Sequence, residues 1–176
     1  MIKKAKDLTR SQRRRLVSYT RGVYQDSGDD LFDSYLLRYS TGVVTLITAL
    51  SYHGLIDEWI LSPYDFSFQY GYRTIKDINI RQFRDSKELL MIGAIKEVRN
   101  SVEFFIYNKE RLLIELWRKE KYIPRDVYKQ AIFSYRELAN SGNLNIPLLK
   151  EYIHKMPKFN IYLKRLSLEV LWKNKH

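Results

Sequence analysis

Val102-Glu103-Phe104-Phe105-Ile106-Tyr107-Asn108-Lys109-Glu110-Arg111-Leu112-Leu113-Ile114-Glu115-Leu116-Trp117 changes period in its middle. Up to Ile106 the residues are β-branched or aromatic, as in a strand. After Tyr107 the spacing becomes helical, with Leu112, Leu113, Leu116 and Trp117 on one face. The chain before this step reads as strands and the chain after it as helices. Ala94–Val98 pairs with Val102–Ile106 as a hairpin turning at Arg99-Asn100-Ser101. Further upstream, Trp59, Ile60, Phe66, Phe68, Tyr70 and Tyr72, then Ile78, Ile80 and Arg81-Gln82-Phe83, make two or three strands. Turns fall near Ser62-Pro63 and Gly71. Val43, Leu46, Ile47 and Leu50 predict a helix over 43–53, closed by Gly54.

Downstream, Val127, Tyr128, Ala131, Ile132, Tyr135 and Leu138 make a helix entered through Pro124 and closed by Ser141-Gly142. Ile146–Ile153 follows, with Asn145 as cap, and Phe159, Tyr162, Leu163, Leu166 and Val170 make a last helix. At the other end, Thr9 or Ser11 caps an arginine-rich helix over Gln12–Tyr19. Arg21-Gly22-Val23-Tyr24 then reads as a short strand. Segregated elements of this kind predict an α+β fold rather than a βαβ alternation. The expected order is an N-terminal helix, a small, mostly antiparallel sheet of about five strands, and a run of about four helices. Asp26-Ser27-Gly28-Asp29-Asp30 is a linker composition, and it divides a basic arm (1–30) from an α+β domain (31–176).

The 176 residues suit one domain plus an appendage. With no cysteine, disulfide scaffolds, thiolate metal sites and cysteine nucleophiles are excluded. The longest charge-free run, Tyr39–Ile56, is broken by serines, threonines, His53 and two glycines, so it is expected as a buried helix and not a membrane span. No signal-peptide pattern opens the chain, and a cytoplasmic protein is expected.

The net charge of +11 is unevenly placed. Residues 1–21 carry Lys3, Lys4, Lys6, Arg10, Arg13, Arg14, Arg15 and Arg21 against Asp7, or +7; residues 22–116 carry −4 and residues 117–176 carry +8. Clustered charge of that kind suits a polyanion, because phosphate neutralisation needs cations within reach of one backbone. The arm residues are therefore candidates for nucleic-acid contact. In the basic tail half, Lys119, Lys121 and Arg125 are candidates for a partner surface.

Catalytic patterns are weak. The histidines His53, His154 and His176 are far apart, and no metal-ligand pair, phosphate loop or nucleophile elbow occurs. No metal or cofactor is expected. His53 reads as a helix-end histidine satisfied by a hydrogen bond. A minimal metal-dependent nuclease would have to use Asp65, Asp85 and Lys87, the last two in the loop leaving a strand, and the chain has no Glu-x-Lys. The aromatic strand face of Phe66, Phe68, Tyr70 and Tyr72 suits either base stacking or, for Phe66 and Phe68, a core.

Several blocks in order resemble one family. Gly42-Val43-Val44-Thr45-Leu46-Ile47-Thr48-Ala49-Leu50-Ser51-Tyr52-His53-Gly54-Leu55 is similar to the "G-V-V … A-L-S-x-H-G-L" helix of the AbiEi-type antitoxins of bacterial abortive infection. Asp57-Glu58-Trp59-Ile60 looks like their first core strand. Tyr107, Glu110, Arg111 and Glu115 resemble their "v-Y-s-x-E-R-x-L-x-D" step, with Glu115 for the usual Asp. Arg21-Gly22-Val23-Tyr24 resembles the "R-G-V-Y" that ends their winged helix. The likeness spans about residues 21–170. It implies a non-enzymatic antitoxin that counters a nucleotidyltransferase-like toxin, with Gly42, His53, Gly54, Tyr107, Glu110, Arg111 and Glu115 in structural roles. It also implies repression of its own operon by binding operator DNA. Only 20 residues precede Arg21, so the winged-helix region is expected to be shortened. Abundant aromatics leave homo-oligomerisation open.

Overall fold

The computed structural model describes residues 2–4, 17–20, 23–25 and 31–171. Three short strands, β1 (Ile2–Lys4), β2 (Val17–Thr20) and β3 (Val23–Gln25), form an antiparallel sheet in the order β1-β3-β2. The strand expected at Val23-Tyr24 is present. The arginine-rich helix is not found over its last residues: Val17-Ser18-Tyr19-Thr20 is extended and pairs with β3, as its β-branched and aromatic composition favours. Gln12–Leu16, and the caps Thr9 and Ser11, lie outside the described residues.

The main sheet has five strands: β4 (Val43–Val44), β5 (Tyr64–Gln69), β6 (Ile80–Asp85), β7 (Ala94–Arg99) and β8 (Val102–Tyr107), in the order β6-β5-β4-β8-β7. It is mixed rather than mostly antiparallel. The β4–β5 and β7–β8 pairs are antiparallel, whereas β4–β8 and β5–β6 are parallel. The central strand β4 is two residues long and was expected as the first turn of a helix. Val43 and Val44 point to opposite faces and are both fully buried. A short apolar run buried on both sides imitates a helical stripe. The helix itself, α2 (Leu46–Tyr52), starts after extended Thr45 and a sharp turn at Leu46, whose φ is 43°.

Helix α1 (Leu31–Arg38), absent from the sequence reading, covers one face of the sheet. Its Phe32 and Tyr35 rings, and Tyr39 just beyond, pack on Tyr64, Phe66 and Phe68 of β5 at centroid distances of 5.0–6.0 Å. Phe66 and Phe68 are therefore core, while Tyr70 is exposed. The opposite face, carrying Asp65, Ser67, Arg81, Phe83 and Asp85, receives α2 and α4 (Lys109–Arg118). Helix α4 is buried all round, from Arg111 to Trp117. It is wrapped by α5 (Arg125–Asn140), α6 (Ile146–His154) and α7 (Phe159–Arg165).

Between β6 and β7 lies a single helical turn, α3 (Lys87–Leu90), capped by Ser86. The C-terminal run therefore has four α-helices, with a 3-10 turn at Glu120–Tyr122 and a π-helical end at Leu166–Val170. The side-chain caps expected there hold locally. Asn145 accepts from the Leu148 amide at 3.0 Å, and Gly142 takes a φ of 74° beyond α5. The hairpin turn falls on Asn100 and Ser101, both at positive φ, the geometry a two-residue hairpin loop requires. No helix among the described residues is long and apolar enough to cross a membrane.

Candidate functional site

Helix α4 carries Arg111, Glu115, Arg118 and Lys119 at i, i+4, i+7 and i+8, so all four share one face. That face lies on the sheet, where β5 supplies Ser67 and β6 supplies Asp85. Glu115 takes Arg111 Nη2 at 2.7 Å and Lys119 Nζ at 2.5 Å, and also accepts from Arg118. Asp85 takes Arg118 Nη2 at 2.7 Å and Lys119 Nζ at 3.1 Å. Lys119 also donates to Ser67 Oγ at 3.2 Å. Burial alone would raise the Glu115 pKa, but Lys119, Arg111 and Arg118 outweigh it and hold the carboxyl down to about 2. Tyr107 lies beside this cluster, its ring 4.9 Å from the Arg111 guanidinium. Burial pushes its hydroxyl pKa up, and the hydroxyl has no hydrogen-bond partner among the described residues.

The cluster opens on one side, through the partly exposed Arg118, into a groove of about 860 Å³. The 3-10 turn contributes Glu120 and Lys121, α5 contributes Arg125, Tyr128 and Lys129, and Trp117 forms the inner wall. Arg165 sits against that wall, its guanidinium 5.8 Å from the rings of both Trp117 and Tyr128. Glu169 at 2.7 Å and Glu120 at 2.9 Å neutralise it. Glu169 also accepts from Tyr128 Oη at 2.5 Å and Trp117 Nε1 at 3.1 Å. Burial and the Glu169 contact raise the Tyr128 pKa, keeping it a donor. Lys121, Arg125 and Lys129 are exposed and make no ion pair among the described residues.

The candidate partner residues therefore separate. Lys121 and Arg125 line the groove, while Lys119 is buried and fully engaged and presents no surface. Of the arm, Lys3 and Lys4 lie in β1; Lys6, Arg10, Arg13, Arg14, Arg15 and Arg21 lie outside the described residues. Among the motif residues, a Cβ at Gly42 would meet Phe68 Cε1 at 2.6 Å. His53 Nε2 lies 2.8 Å from the Tyr107 carbonyl oxygen, and burial lowers its pKa. Gly54 follows α2 with a φ of 66°. Glu110 accepts from the Asn145 amide at 3.0 Å, joining α4 to α6.

Asp65 and Asp85 do not converge. Asp65 is in register with Arg81, four residues before Asp85 on β6, which separates the two carboxylates by about 13 Å along the sheet. Asp65 accepts from Arg81 Nε at 2.5 Å and from the Ile47 amide at 2.9 Å, so it caps α2 from the neighbouring strand. Burial raises its pKa against the pull of Arg81. Asp85 closes β6 instead of lying in a loop, and Lys87 opens α3 on the surface. Among the described residues no group of three histidines or carboxylates is arranged to hold a metal ion.

Sequence reasoning passed over Trp117, Arg118, Lys129 and Arg165 as site residues. The signal for the first cluster was the Arg111, Glu115, Arg118, Lys119 spacing, and for the groove the like-charged Arg125 and Lys129 four residues apart. Comparison of the sequence with family models and with curated proteins gives no match.

Proposed function

We propose that this chain is a non-enzymatic antitoxin of an abortive-infection module, countering a nucleotidyltransferase-like toxin by direct or indirect antagonism. Two lines support the reading. The ordered resemblance to AbiEi-type antitoxins supplies the role. The observation that carries it is how the ionisable groups are used: Asp65, Asp85, Glu115 and Lys119 are all buried and engaged in ion pairs. What faces solvent is binding chemistry, with Lys121 and Arg125 exposed beside a groove in the basic helical half.

Growth rescue tests this. The neighbouring open reading frame is expressed alone, then with the full chain, then with residues 22–176. Rescue by both forms is expected, since the charges invoked lie in the α+β domain. No rescue, with the neighbour toxic, overturns the reading. The +7 of residues 1–21 favours a second role as operator-binding autorepressor. That role requires affinity that falls steeply with salt and is lost on deleting those residues.

A further inference from the structure

Three cations surround the groove without compensation. Lys121 stands on the 3-10 turn, and Arg125 and Lys129 on successive turns of α5. Of the nearby acids, Glu120 and Glu169 are committed to Arg165 and Glu115 and Asp85 to Arg118. The exposed Asp126 makes no ion pair with any of the three cations among the described residues. The local sequence also breaks two rules of helix design. Arg125 occupies the first turn of α5, where the helix dipole disfavours a cation. Lys129, four residues on, repeats its sign instead of opposing it. The adjacent Asp126 fits the dipole rule. Departures of this kind, uncompensated within the fold, mark sites selected for something other than stability.

Behind the groove's Trp117 and Tyr128 lies a fourth cation that is compensated. Arg165 is held between Trp117 and Tyr128 and by two carboxylates, so it adds shape and little net charge.

We infer that this groove binds a phosphate chain, with Lys121, Arg125 and Lys129 as its contacts. The inference uses the same exposed cations as the antitoxin reading but does not rest on it: phosphate titration tests the one and growth rescue the other, so their failures are distinguishable. A phosphate chain fits better than an acidic protein surface because it places several charges within one concavity. Carboxylates on a convex surface reach a groove singly. The chain can belong to a free nucleoside polyphosphate or to a nucleic-acid strand.

The full-length protein is titrated with sodium tripolyphosphate, with a fluorescein-labelled fifteen-nucleotide thymidine strand, and with a glutamate decapeptide. The comparison proteins are Lys121→Gln/Arg125→Gln/Lys129→Gln and the arm variant Lys3→Gln/Lys4→Gln/Lys6→Gln. Binding of either phosphate probe should weaken at least tenfold in the groove variant and persist in the arm variant. Tripolyphosphate binding identifies a polyphosphate site, and binding of the strand alone identifies a nucleic-acid site. In the strand arm, the slope of log K against log salt should flatten by about 2, for three lost contacts on a single strand. The single Lys129→Gln, which removes one exposed charge, should weaken binding about threefold and keeps the test open should the triple variant misfold. Phosphate binding that survives the groove changes, or a decapeptide that binds as tightly as both phosphate probes, overturns the proposal.

Discussion

Helix α4 and the first two turns of α5 each set their cations on one helical face, and the molecule uses them in opposite ways. Arg111, Arg118 and Lys119 on α4 are folded against the sheet and share Glu115 and Asp85. Arg125 and Lys129 on α5 face open solvent and share nothing. The difference arises from position. A helix buried all round must bring its own counterions, because an unpaired buried charge costs several kcal/mol. A helix on the surface has water to solvate its charges and can keep them for a partner. One set of charges therefore belongs to folding and the other to binding, and substitutions in the two should act on different measurements.

The largest expected effect is at Glu115. Glu115→Ala leaves Arg111 buried without its carboxylate and strips one partner each from Arg118 and Lys119. Removing one member of a buried ion pair costs about 3–5 kcal/mol, on the order of 10 °C in the thermal midpoint for a chain of this size. The pH dependence carries the same signature. The Glu115 carboxyl is depressed from its ordinary 4.5 to about 2. Its contribution is therefore complete above pH 4.5 and is lost as pH falls toward 2, about 3 kcal/mol in all. Melting curves between pH 6 and 2 should show that loss in the wild type. In Glu115→Ala the Glu115 contribution to it should vanish; an unchanged acid profile would break the assignment of Glu115 as the keystone.

A smaller but still large effect is expected at Gly93, which precedes β7. Its φ of 70° is one that L side chains rarely adopt, and an added Cβ would lie 2.4 Å from Arg111 Cβ. Gly93→Ala combines the left-handed backbone penalty with overpacking, together about 2–4 kcal/mol. Denaturant unfolding measures it. The clash falls on α4 at Arg111, away from Lys121, Arg125 and Lys129, so phosphate binding by the folded fraction should fall far less than in the groove variant.

The contrast between the two helices also explains what was legible in the sequence. Local signals were reliable where one residue decides the backbone: Asn145 as a cap, Gly142 and Gly54 beyond helix ends, Asn100-Ser101 at the hairpin. His53 at a helix end, hydrogen-bonded to Tyr107, follows the same logic. The coarse order of sheet followed by helices was legible too, but Leu31–Arg38 as a helix, Val43–Val44 as a strand and strand direction were not. Trp59–Ile60, expected in a strand, lies in irregular chain with Trp59 exposed. The parallel β4–β8 and β5–β6 pairs are long-range facts, and two valines buried on both faces carry no period at all. Lys119 and Lys121 are two residues apart and look alike in sequence. Only the approach of Asp85 and Ser67 from the sheet decides that one is core and the other surface.

The smallest effect has the opposite sign, and it separates the two regions most cleanly. Arg125 opens α5, where the unpaired amides of the first turn carry partial positive charge. Arg125→Glu removes an unfavourable dipole contact and a like-charge pair with Lys129, and replaces both with favourable ones. The gain should be about 0.5 kcal/mol at low salt and should shrink as salt is raised. Calorimetry at two ionic strengths would resolve it against the wild type. The same variant reverses one charge at the groove, so tripolyphosphate should bind it at least tenfold more weakly. Greater stability with weaker binding is the signature of a residue kept for a ligand. If Arg125→Glu lowers the melting temperature instead, Arg125 is serving the fold, and the division between the two helices fails at that residue.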